Sequence, residues 1–198
     1  SGIRAGVAKS LKKLNWIPTS DEIGARFWIV QGRWNKCAEI GIPAIPLLTE
    51  ILESDLYLRK QKVTAVEILG KIGDAKTVKP LVAALNNTCA AIRVAAAKAL
   101  GEINDPRAIK PLIKSFSSDE DSKVVVNALN ALRKFENLEE ESLLPLLKSK
   151  DNFVKNETAE ILGKVGTDKS VMPLLQQLNN RDVRYNAKSA LIKIGSPS

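Results

Sequence analysis

What most constrains this chain is a helical stripe that returns about every thirty residues. Ala91 to Ile103 read AIRVAAAKALGEI, and Ile92, Ala95, Ala96, Ala99, Leu100 and Ile103 fall at i, i+3, i+4, i+7, i+8 and i+11. That spacing is one continuous face of a 3.6-residue helix. Ile3 to Leu14 (IRAGVAKSLKKL), Val154 to Val165 (VKNETAEILGKV) and Val183 to Ile194 (VRYNAKSALIKI) carry it again. A segment this short cannot close a core around itself. It buries its stripe by stacking on the next copy, so the chain reads as a repeat protein in which each repeat leans on its neighbours.

A second periodicity marks the other half of each repeat. Pro46, Pro80, Pro111, Pro145 and Pro173 are each followed by leucine, at spacings of 34, 31, 34 and 28. Proline is tolerated in a helix's first turn, where its missing N–H has no intrahelical partner, so each proline is expected to mark the start of an outer helix. Asp74, Asp105 and Asp168 stand upstream, where a carboxylate caps free amides or complements the positive helix end. The turns around Glu53–Asp55, Asn86–Thr88, Ser117–Asp121, Ser149–Asp151 and Asn179–Arg181 are short and polar, which makes adjacent helices antiparallel. The inner helices end on Leu69-Gly70, Leu100-Gly101, Leu132-Arg133, Leu162-Gly163 and Leu191-Ile192. Gly73, Gly166 and Gly195 suit left-handed caps, with Asn104 and Glu136 in the equivalent places.

Five repeats follow, over 42–73, 74–104, 105–135, 136–166 and 167–195, and 42–198 is expected to form one continuous array. Residues 1–41 read as a half repeat plus a Trp-rich helical insert. In that insert Thr19 and Glu22 have capping-box spacing, a helix runs to about Gln31, and Arg33 to Ile40 makes a short helix ended by Gly41. Trp16, Phe27, Trp28 and Trp34 lie within about twenty residues and read as a local mini-core in preference to a binding platform. The opening half repeat leads to the expectation that the chain is part of a longer one.

The pattern V-R-x-x-A-x-x-A-L-G-x-I-G, preceded by D-x-x-A-V-x-P-L-x-x-L, resembles the HEAT-like repeats named after the phycobilisome lyases. Val78, Pro80, Leu81, Leu85, Ile92, Arg93, Ala96, Ala99, Leu100, Gly101 and Ile103 carry the match. The segment with Trp16-Ile17-Pro18 and Trp34, running into Gly41-Ile42-Pro43-Ala44-Ile45-Pro46-Leu47, is similar to one in bacterial and archaeal members. The resemblance implies an all-α fold, a right-handed α-solenoid (superhelix) of HEAT-like helical hairpins. Departures are Gln61 for valine, Val125 for arginine and a charged Glu157 on the inner stripe.

Composition narrows the function classes. Hydrophobic residues at 44% with 26% charged describe a soluble folded chain, and aromatics at 5% suit helices packed through Ala, Leu, Ile and Val. No apolar run approaches the roughly 18 residues that span a bilayer, and no signal-peptide pattern opens the chain, so the expected location is cytoplasmic with no membrane partner. The sequence has no histidine. That removes the usual general base, the serine and cysteine triads and the His-Glu di-iron sites found on some HEAT-repeat enzymes. Cys37 and Cys89 form no CxxC, so neither a metal nor a cofactor is expected, and both read as small buried residues. No phosphate-cradling GxxxxGK[ST] or GxGxxG occurs. Glu139-Glu140-Glu141, beside Glu136, reads as a helix start complementing the dipole.

A surface remains. Counting each inner helix from its first Val or Ile as zero, positions 2, 6 and 10 project away from the buried stripe. Position 2 is Ala5, Val63, Val94, Val126, Asn156 and Tyr185; position 6 is Lys9, Glu67, Lys98, Asn130, Glu160 and Ser189; position 10 is Lys13, Lys71, Glu102, Lys134, Lys164 and Lys193. The candidate binding residues of the concave face are Lys9, Lys13, Lys71, Lys98, Lys134, Asn156, Lys164, Tyr185 and Lys193. Lysine near a helix C-terminus also offsets the negative dipole end, which is the plainer explanation of the row. A second row at position 1, Arg4, Lys62, Arg93, Lys155 and Arg184, reads as a structural ladder with Asp121, Asp151 and Asp182. The formal charge of +8 is uneven, with a balance of +4 over 1–41, +2 over 42–104, zero over 105–150 and +2 over 151–198. The function expected is a non-catalytic protein–protein interaction scaffold with a partner, acidic in character, on the concave face. The alternatives are nucleic-acid binding, disfavoured by Glu67, Glu102 and Glu160 on the same face, and phycobilin lyase-like activity.

Overall fold

The computed structural model describes Gly6, Lys9, Ser10, Lys13 and residues 16–195. Most of the half repeat expected at Ile3–Leu14 therefore lies outside the described residues. Among those described there is no strand, and the contacts divide the chain into two compact units, Ser1–Asp105 and Pro106–Ser198.

The first unit holds α1 (Glu22–Val30), α2 (Asn35–Ile40), α3 (Ile45–Glu53), α4 (Arg59–Ile72), α5 (Val78–Ala84) and α6 (Ala90–Ile103). Short 3-10 turns at Ile42–Ala44 and Ala75–Thr77 lead into α3 and α5. Helix α3 packs on α4, α5 packs on α6, and the two inner helices α4 and α6 lie directly against each other. The stripe read from the sequence is buried as the period requires: Ile92, Ala96, Ala99 and Leu100 are in the core, joined by Ala97, with Ile103 half-buried. Facing it are Val66, Ile68 and Leu69 of α4, with Leu47, Leu48 and Ile51 of α3 behind them. Each such side chain contributes roughly 1.5 to 3 kcal/mol when taken out of water.

The second unit holds α7 (Ile109–Ser118), α8 (Ser122–Leu132), the single turn α9 (Glu140–Leu143), α10 (Asn152–Val165), α11 (Asp168–Gln177) and α12 (Arg184–Gly195). Helix α7 packs on α8, α11 packs on α12, and α10 lies against α12. The outer segment that begins with α9 continues as a 3-10 helix over Leu144–Lys148, with Pro145 in its first turn. Phe116, Leu112, Leu132, Leu143, Leu162 and Leu174 fill the core.

What brings inner helices together is the absence of a side chain. A Cβ added at Gly70 would lie 2.7 Å from Cβ of Ala99, and one at Gly163 would lie 3.0 Å from Cα of Ala190. At Gly70 and Gly163 the Leu-Gly end of an inner helix is thus a packing site in which glycine receives alanine of the next.

Helix ends follow the sequence in part. Gly73 (φ 66°) and Asn104 (φ 56°) are left-handed, and their N–H groups close on the carbonyls of Leu69 and Leu100. Gly166, expected to match them, is extended at φ −72° and ψ 152°; Gly195 is still helical, and Glu136 lies beyond the end of α8. The N-cap of α1 is Asp21, which accepts from the Gly24 N–H at 2.9 Å, while Thr19 donates its hydroxyl to the Asp21 carboxylate. This replaces the expected Thr19–Glu22 box, because the shorter aspartate already sits at the turn. Pro46, Pro80 and Pro111 lie in first turns, but Pro173 is the sixth residue of α11. That helix starts early because Thr167 caps it directly, with no 3-10 turn before it.

Two substitutions test this packing. Leu100→Ala, at a site with no exposure, should lower stability by about 2 to 5 kcal/mol. Gly70→Ala should lower it by about 1 to 3 kcal/mol through overpacking against Ala99. Denaturant melts read both, and a Gly70→Ala curve superimposable on the parent would contradict the close contact.

Candidate protein-interaction surface

The residues singled out in the sequence fall on the surface, though not all are free to bind. Lys9, Lys13, Lys71, Lys98, Lys134, Lys164 and Lys193 are exposed, and Tyr185 is 80% exposed. In the first unit Lys71 donates to Oδ1 of Asn35 at 3.4 Å, and the exposed acids Glu67 and Glu102 share the face with Lys71 and Lys98. In the second unit Lys134 follows the end of α8 in a turn, whereas Lys164 and Lys193 end the stacked helices α10 and α12 at equivalent positions. The stem of Lys193 runs past the notch at Gly163.

Asn156 is used by the fold. Its Nδ2 donates to the Asp182 carbonyl at 2.9 Å, and its own carbonyl accepts from Asn186. Asn152 adds a bond to the Asp182 carboxylate at 2.7 Å and accepts from Asn180. An asparagine ladder thus joins α10 to the start of α12. Asp121 and Asp151 cap their own helices at Lys123 and Phe153, and Arg93 donates to the carbonyls of Asn87 and Thr88. Lys62 pairs with Asp55 of the turn before α4 at 4.0 Å.

Two departures from the repeat pattern belong together. Arg133 stands where other inner helices have glycine, and its guanidinium reaches Glu157 at 2.6 Å and Glu160 at 2.9 Å. A fork of five donors suits two carboxylates at once. Burial, together with the nearby Glu160 charge, pushes the Glu157 carboxyl above its usual range, with Arg133 opposing the shift.

The glutamate run has a role the sequence did not reveal. Glu140 is only 6% exposed. Its carboxylate accepts from the Ser170 hydroxyl at 2.5 Å, from the Thr167 N–H at 2.8 Å and from the Thr167 hydroxyl, twenty-seven to thirty residues away at the start of α11. Glu141 pairs with Lys169 beside it. Burial alone would raise the Glu140 pKa; the hydrogen bonds from Ser170 and Thr167 outweigh it and hold the carboxyl below its ordinary value.

The aromatic cluster is a half-buried mini-core. Trp16 meets Phe27 edge-on at 5.3 Å, Phe27 meets Trp28 at 5.1 Å, and Arg33 lies over Trp28. Trp34 sits at the N-cap of α2. Cys37 is fully buried, its thiol pushed up to about 11 by burial; Cys89, expected to be buried, is only half-buried. It lines a groove of about 520 Å³ between the α3–α4 and α5–α6 hairpins. Leu56 and Leu58, in the turn before α4, are 83% and 73% exposed. Leu58 and Cys89 start α4 and α6 without a side-chain oxygen, whereas Asp121 and Asp151 cap α8 and α10.

Together these elements define an all-α repeat protein of the α-solenoid class, built from helical hairpins. Residues 45–133 match the family model described as HEAT repeats. Over 96% of each chain the fold is similar to the crystal structure of an engineered protein, a Northeast Structural Genomics Consortium target, with 21% identity and a TM-score of 0.52. No curated protein matches the sequence significantly. HEAT repeats generally serve as protein-interaction scaffolds. No described helix is long and apolar enough to cross a membrane.

The Glu140 clasp yields a prediction with a definite sign. A carboxyl whose folded pKa is depressed stabilises the fold above its unfolded value, about 4.3 for glutamate, and loses that contribution as pH falls through the folded value. Glu140→Ala, which strands the Thr167 N–H and the Ser170 hydroxyl, should cost about 1 to 3 kcal/mol at neutral pH. The variant's loss of stability between neutral and acid pH should also be shallower, as urea melts across that range would show.

Proposed function

We propose that the chain is a non-catalytic scaffold that docks an acidic segment of a partner protein on the open face of its inner helices, chiefly in the second unit. The observation that carries this is the state of the charges there. Lys164 and Lys193 stand at equivalent positions on stacked helices, both exposed and without an ion pair among the described residues, while Glu160 of the same face is held by Arg133. The acid that would repel an anionic partner is thereby offset in part, by an arginine it shares with Glu157, and the lysines are left to meet one. In the first unit Glu67 and Glu102 offset Lys71 and Lys98, so attraction is weaker there. Tyr185, 80% exposed on α12, supplies a large amphipathic contact of the kind that anchors interfaces. The absence of histidine from the sequence supports a binding role over a catalytic one.

Titration calorimetry with a polyglutamate peptide tests the reading. Lys164→Glu and Lys193→Glu should each weaken binding several-fold, with Lys98→Glu nearly silent; unchanged affinity in the double variant would refute it. Retention on heparin at physiological salt with no polyglutamate binding would favour a nucleic acid, whose affinity falls steeply with salt.

A further inference from the structure

An inner helix in this fold has one side for the helix before it and another for the helix after it. In the second unit Ala190 of α12 enters the notch at Gly163 of α10, and the Asn156 side chain reaches the Asp182 carbonyl at the start of α12. Counted from Val154 as zero, the residues of α10 that turn toward the next helix are therefore at positions 2 and 9. Position 5 lies on the same side of a 3.6-residue helix. It is Val66, Ala97, Leu129 and Ala159 in the four earlier inner helices, all of them buried.

On α12, counted from Val183, these positions are Tyr185, Lys188 and Ile192, one stripe at i, i+3 and i+7. Tyr185 is 80% exposed, Ile192 is 59% exposed, and Lys188 is exposed between them. The stripe does not suit one more hairpin of the same kind. Ile192 puts a branched side chain where Gly163 leaves room for none, and Lys188 would carry an ammonium into a seam that buries Ala159 elsewhere. Nor is it a polar end built only to stay in water, since two large side chains flank the lysine.

Charge indicates what fits there. Helix α12 contains no acid. Arg181, Arg184, Lys188 and Lys193 are exposed and have no ion pair among the described residues. The Asp182 carboxylate, in the turn before the helix, accepts from Asn152. A second copy laid on the stripe about a two-fold axis would set these cations against their own kind. Head-to-tail stacking meets the same repulsion, because residues 1–41 carry a balance of +4. The occupant has to bring carboxylates, with apolar groups among them.

We propose that this side of α12 docks an amphipathic, acidic α-helix of a partner protein, its apolar stripe packing on Tyr185 and Ile192 while flanking carboxylates meet Lys188 and Arg184. A helix is what the same side of α10 receives, in α12 itself. Anchors at i, i+3 or i+4 and i+7 are what a docked helix offers. The proposal rests on the reading of the chain as a scaffold for an acidic partner, and adds the partner's conformation and the side of α12 that it uses.

Selection on the whole chain of displayed helical, glutamate-rich peptides randomised along one face tests this, with enriched peptides resynthesised, labelled with fluorescein and titrated by anisotropy. Enrichment of Leu, Ile, Phe or Trp at i, i+3 or i+4 and i+7 is expected. Affinity should fall about tenfold or more in the paired Tyr185→Ser, Ile192→Ser variant and several-fold in Lys188→Glu, with circular dichroism showing the parent helix content in both. A proline in the middle of the peptide should abolish binding, because it breaks the helix. Absence of apolar enrichment, an affinity untouched by the paired variant, or full binding of the proline peptide would overturn the proposal. A dimer in sedimentation velocity that the paired variant dissolves would place a second copy there and overturn it too. Polyglutamate separates the two readings: if it binds through Lys164 and Lys193 while no helical peptide binds through Tyr185 and Ile192, the docked helix alone is lost, and if neither probe binds, both readings are.

Discussion

Everything in this fold depends on how closely two inner helices approach. Where glycine faces alanine, as at Gly70 and Ala99 or Gly163 and Ala190, the backbones come near enough that no further carbon fits. Such contact lets the small residues of one helix shut water from the leucines of both, so a modest stripe of Ala, Ile and Leu suffices without large aromatics. The dispersion energy of each atom pair is small, but the sum over a continuous seam is not. The seam also explains why a thirty-residue hairpin need not be stable by itself.

Where the seam is interrupted, polar chemistry takes over. Arg133 in place of glycine trades a backbone contact for a forked ion pair to Glu157 and Glu160. Glu140 ties its own segment to the start of α11, and the asparagines at 152, 156, 180 and 186 tie α10 to α12. These ties lie in the second unit. A hydrogen-bonded joint is more specific in geometry than an apolar one and costs more when half broken, so the two kinds of joint suit different tasks: cohesion in one place, fixed orientation in another.

Much of this was legible in advance, for a physical reason. Periodicity reports which side chains must be buried together, and the stripe from Ile92 to Leu100 therefore placed α6 and its partners correctly. The hairpin pattern followed from prolines and short turns. What the sequence concealed were pairings between residues about thirty apart whose partners are ordinary polar side chains. Glu140 looks like any helix-start carboxylate until Thr167 and Ser170 are seen around it, and Glu157 looks like an error in the stripe until Arg133 is beside it. Local competition misled too: Asp21 outbid Thr19 as a cap, Thr167 started α11 ahead of Pro173, and Gly166 had no need of the left-handed region that glycine permits. Of the candidate surface, the exposure of the lysines was legible from spacing alone. The groove was not, because its walls come from two hairpins.

The unequal settings of the two cysteines have a practical consequence. Cys37 is sealed in the core with its thiol pushed up to about 11, so at neutral pH almost none of it is thiolate and reagents do not reach it. Cys89 is half-buried and forms part of the groove wall. Since thiolate, not thiol, is the reactive form, a maleimide dye will attach at the wall and spare the core without any engineered residue. The wild-type chain therefore carries its own optical gauge of that cleft.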